Sequence, residues 1–99
     1  MAVFIITPLV ADSSLLDKAI EEKIIDPSDR YRLQAERGWL ISFNGTSIDL
    51  SGHIGLTGQG SQGIASLLGS AIIVPISSYY GRGPTDMWEW LKVKLENGR

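Results

Sequence analysis

Residues 71–90 (AIIVPISSYYGRGPTDMWEW) constrain the fold more than any other stretch. Residues 71–77 form an uncharged run rich in Ile and Val, which reads as a strand. Pro75 interrupts it. Proline has no N–H to give to a ladder, so this strand belongs at a sheet edge or carries a bulge. A glycine-flanked Arg82 then leads to Pro84, a residue suited to the first turn of a helix. That helix is predicted over residues 84–96. Met87, Trp88, Leu91 and Leu95 fall on one side of it, so it must pack on something.

The rest of the chain supplies the sheet. Residues 2–9 (AVFIITPL) are apolar on both faces, the pattern of a central buried strand, and Pro8 is expected to end its pairing. Asp12, Ser13 or Ser14 caps a helix whose apolar face holds Leu16, Ala19 and Ile20. This helix stops near Ile25, because Asp26 precedes Pro27. Residues 30–34 (RYRLQ) alternate like a short edge strand, and residues 39–43 (WLISF) form a stronger one. A loop of about four residues, 35–38, joins them as a hairpin. Thr46 and Asp49 have the spacing of a helix cap, Leu50 and Ile54 share a helix face, and Gly55 ends that helix.

The order strand, helix, strand, strand, helix, strand, helix is the ferredoxin-like βαββαβ pattern with an extra C-terminal helix. The expected fold is therefore an α+β two-layer sandwich in a single domain over residues 1–99, with the first and third strands central. If residues 30–34 form a loop instead, the chain becomes a three-stranded parallel α/β sheet. In either arrangement the strands ending at Phe43 and Ser77 run parallel and finish on one rim.

Composition narrows the function. A net charge of −2 argues against nucleic-acid binding driven by charge alone. With no Cys, disulfides, thiolate metal ligands and cysteine nucleophiles are excluded. His53 is the lone histidine and reads as a partly buried structural residue, so neither a metal nor a cofactor is expected. Residues 1–10 lack the basic start and cleavage site of a signal peptide. The longest apolar run, 64–76, is broken by Ser66, Gly69, Ser70 and Pro75 and falls short of the roughly 20 residues of a membrane span. The expectation is a soluble, unprocessed, cytoplasmic protein. Gly58, Gly60 and Gly63 match G-x-G-x-x-G, but without the strand–turn–helix context of a dinucleotide site they read as a flexible connection.

The shared rim carries the candidate ligand site. Asn44, Gly45, Thr46 and Ser47 come from one connection, and Ser77, Ser78, Tyr79, Tyr80 and Arg82 from the other. Hydroxyls, glycine amides, a helix start and one Arg suit a phosphate or carboxylate, and a Tyr face suits a base. The same residue types also make an ordinary turn. No nucleophile elbow supports a serine triad, so no catalytic residue is assigned. Small ferredoxin-like ribonucleases of bacterial toxin and CRISPR systems have a topology similar to the one expected here. They commonly place an acid near the end of the first strand, where this chain has Thr7 and Pro8 and its first acid is Asp12.

Two functions follow from these features. Trp90 and Val93 project away from the centre of the last helix's apolar face and would form a patch, which points to an interaction module that self-associates as a homodimer. The alternative is a nucleotide- or phosphate-ligand-binding domain, including a small nuclease of a toxin or defence system.

Overall fold

The apolar first strand folds as β1 (Ala2–Pro8) and takes a neighbour on each side. The computed structural model of the chain describes residues 2–57 and 68–97. After β1 come α1 (Ser14–Lys23), β2 (Arg30–Arg32), β3 (Trp39–Phe43), α2 (Ser47–Ile54), β4 (Ala71–Ile76) and α3 (Thr85–Leu91). The strands form one sheet in the order β2-β3-β1-β4, and every neighbouring pair is antiparallel. The protein is thus α+β, with a four-stranded antiparallel sheet. The three-stranded parallel alternative is corrected on two counts. Residues 30–32 pair with β3, and β1 lies between β3 and β4.

Strand alternation splits the core in two. Phe4, Ile6, Trp39 and Ile41 point to one face, where they meet Leu16, Ile20 and Ile24 of the α1 segment and Leu50 and Ile54 of α2. Val3 and Leu40 point to the other face, where Leu91 of α3 closes over them with Trp88, Trp90 and Leu95. The C-terminal helix therefore adds a third layer, on the face away from α1 and α2. Its second side is fastened at helical spacing. Asp86 accepts a hydrogen bond from the Tyr31 hydroxyl at 3.0 Å, Trp90 Nε1 donates to the Ser28 carbonyl at 2.9 Å, and Lys94 pairs with Asp29 at 2.9 Å.

Both strand prolines sit where their missing N–H costs nothing. Leu9 N–H donates to the Ser70 carbonyl at 2.8 Å, in register with the β1–β4 ladder. Antiparallel pairs alternate, so Ile72, Val74 and Ile76 turn their backbone groups toward β1, while Ala71, Ile73 and Pro75 turn theirs to the open side. Pro8 does not end pairing as expected. It stays opposite Ala71, and its nitrogen faces the β3 side beyond the last pair, Ile6 with Trp39, where no β3 residue is left to accept from it.

Several boundaries also differ from expectation. The β2–β3 connection runs from Leu33 to Gly38, longer than foreseen, because a short 3₁₀ turn at Gln34–Glu36 includes Ala35 at φ 64. Gly38, at φ 132, passes so close to the Ile6 carbonyl that no side chain fits there. Pro84 is extended (φ −63, ψ 149) and precedes the last helix rather than opening it, and residues Lys92–Asn97 continue with π-helical geometry. Gly55 ends α2 in the left-handed region, φ 87, as its position implies. The Gly58, Gly60 and Gly63 match lies outside the described residues. No helix among the described residues is long and apolar enough to cross a membrane.

Candidate functional site

The two edges of the sheet are built differently. At β2, Arg30 donates to the Ile24 carbonyl at 2.6 Å, Tyr31 reaches Asp86, and Arg32 is bonded to Asp17. The Trp90 ring lies against Tyr31, 6.2 Å between centroids. Charged side chains and α3 thus guard this edge, as edge strands require.

Among the described residues, the β4 edge has no such guard. No residue from Ile54 to Gly81 is charged. Ile72 and Val74 face the α3 side of the sheet but stay 50% and 41% exposed, because α3 is drawn toward β2. On the opposite face a groove of about 240 Å³ separates α2 from β4. It is lined by Ser47, Ile48 and Ser51 on one side and Ala71, Ile72 and Ile73 on the other. Ile48 stands beside it, 80% exposed. Among the described residues, Pro75, without an N–H, is what blunts this edge.

The predicted rim exists as an end of the sheet, since Phe43 pairs with Ala2 and Ile76 with Val3. Its two connections leave in opposite directions. Asn44 to Ser47 lead onto the α2 face, and Ser77 to Arg82 lead to α3 on the other. Tyr79 stacks on Trp88 at 5.8 Å, which turns it from the rim, while Tyr80 and Arg82 are exposed. Thr46 and Asp49 spend their polar atoms on each other. Thr46 Oγ1 accepts from Asp49 N–H at 3.1 Å, and Asp49 accepts from Thr46 N–H at 3.0 Å. That backbone donor, with the Thr46 hydroxyl, holds the Asp49 carboxyl below the ordinary Asp range. At the start of α1 a carboxylate also stands in place, Asp12 accepting from Ser14 N–H at 3.0 Å, without the reciprocal half seen at α2. An anion approaching either helix start meets a carboxylate already in place.

A second hollow, about 300 Å³, lies beside the start of α1 and is lined by Asp12, Ser13, Asp17, Arg32 and Arg37. Its charges are mostly matched. Asp17 takes Arg32 at 2.6 and 2.9 Å, Trp39 Nε1 at 2.9 Å and the Ser13 hydroxyl at 3.3 Å. The Arg32 guanidinium also lies 4.8 Å from the Trp39 ring centre. These contacts tie α1, β2 and β3 together. His53 is exposed, contrary to expectation. Its Nε2 is 2.9 Å from the Lys23 carbonyl and its ring leans on Phe43, so it joins the end of α2 to the end of α1.

The two interface candidates separate. Trp90 is half-buried and hydrogen-bonded within the chain, whereas Val93 is 52% exposed. The residues that sequence reasoning passed over are Ile48, Ile72 and Val74. The available signal was the long charge-free stretch around a strand already marked as an edge by Pro75. No protein-family model, curated protein or solved structure matches the chain. Fold and site define it as a small α+β domain with one guarded and one open sheet edge.

Proposed function

We propose that this chain is a non-catalytic interaction module that self-associates through the β4 edge. The single observation behind this is an uncharged edge strand with apolar side chains exposed on it, beside a second edge of the same sheet that is charged and covered. Such an edge is a template for pairing with another strand. Trp90, spent on Tyr31 and Ser28, contributes to α3 docking instead. The strand order and antiparallel pairings support reading residues 2–76 as a ferredoxin-like unit to which α3 has been added. The carboxylates at the helix starts weigh against the nucleotide-binding alternative.

Sedimentation of the wild type and of the Ile72→Lys, Val74→Lys double variant tests this. The expected result is a dimer that the double variant converts to a folded monomer. A wild-type protein that stays monomeric at high micromolar concentration overturns the proposal.

A further inference from the structure

We infer that two copies pair β4 to β4, antiparallel, about a two-fold axis at Ile73, so that their sheets join into one. This rests on the self-association proposed above and adds its geometry. The occupant of the edge is a second copy because the strand is complementary to itself in backbone, side chain and charge.

The backbone comes first. Ala71, Ile73 and Pro75 turn their peptide groups outward, and Pro75 has no N–H to offer. With Ile73 opposite Ile73 of the partner subunit, those two residues exchange N–H···O=C bonds. Ala71 N–H then reaches the carbonyl of Pro75 of the partner subunit, and the missing proline donor falls at the end of the paired stretch. Side chains follow from the same register. Ile72 stands opposite Val74 of the partner subunit, and Val74 opposite Ile72 of the partner subunit. The two exposed apolar residues of β4 therefore cover each other across the axis, in the closer, non-hydrogen-bonded kind of pair. On the α2 face, Ile48 of each copy overhangs the new strand pair. Charge permits the approach. Each copy carries a net −2, yet the paired strip and its flanks from Ile54 to Gly81 hold no charge, so like-charge repulsion is small at the contact.

The chain has no cysteine, so single introduced thiols report the register cleanly. Ile72→Cys and Val74→Cys proteins are made separately, checked for unchanged thermal melting, and oxidised with glutathione disulfide alone and as an equal mixture. In the inferred register, positions 72 and 74 of opposite copies lie roughly 4.5–5.5 Å apart at Cβ, near the reach of a disulfide, whereas identical positions lie on the diagonal at about 7–8 Å. The mixture should yield several-fold more cross-linked dimer than either protein alone. If Ile72→Cys alone links fastest, or if a dimer seen by sedimentation links in no combination, this register is wrong while self-association stands. If sedimentation shows only monomer, both readings fall together.

Discussion

Trp39 donates its indole N–H to Asp17 Oδ1 at 2.9 Å, so a carboxylate on α1 fixes a side chain of the central strand β3. Arg32 from the neighbouring strand grips the same carboxylate with both terminal nitrogens. One acidic residue thereby joins a helix to two strands that follow it along the chain.

That junction makes stability depend on pH. Burial raises the Asp17 pKa, but the hydrogen bonds from Arg32, Trp39 and Ser13 and the Arg32 charge outweigh it and leave the carboxyl below the ordinary Asp value. The unfolded chain then binds this proton more readily than the fold does. The stability from Asp17 is present in full above about pH 5 and is lost as pH falls through its folded pKa. Asp17→Asn should cost about 1–3 kcal/mol at neutral pH. Urea unfolding of both proteins at neutral and strongly acid pH checks this, and the gap between them should narrow in acid.

Leu91 is 3% exposed against Val3 and Leu40, so Leu91→Ala should cost about 2–5 kcal/mol. Val93, on the same helical segment but half exposed, should lose less than about 0.5 kcal/mol on truncation to Ala. Denaturant melts of the pair measure how far the third layer contributes to folding.

Trp90→Phe keeps a ring against Tyr31 but removes the bond to the Ser28 carbonyl. The expected loss is about 0.5–1.5 kcal/mol of stability, with oligomeric state unchanged. Sedimentation and thermal melting of the same sample separate the two effects, and a shift toward monomer would return the interface to α3.

Thr46→Ala removes one half of the reciprocal cap on α2, and the expected cost is about 0.5–2 kcal/mol. Arg82→Ala, at an exposed position, should stay within about 0.5 kcal/mol of the wild type. Thermal melts of both, with and without inorganic phosphate, also test the rim. Phosphate should leave both melting temperatures where they are.

Local physics was legible in the sequence. The apolar run of β1, the WLISF strand, the Thr46–Asp49 cap, the Gly55 stop and the edge position of the Pro75 strand each follow from nearby residues acting on their own backbone. What Trp90 would touch was not legible. Its surroundings depend on how α3 lies across the sheet, and three contacts to residues more than fifty positions earlier set that angle. The rim was half legible. Strand direction brings Phe43 and Ile76 to one end of the sheet, but only the placement of α2 and α3 on opposite faces sends their connections apart. So the sequence alone determined which segments become strands and helices, because hydrogen bonding, capping and proline chemistry act over a few residues. Tertiary structure alone decided which apolar side chains stay uncovered. Ile72 and Val74 are as apolar as any core residue, and they remain exposed because the helix over their face is fastened to the far edge.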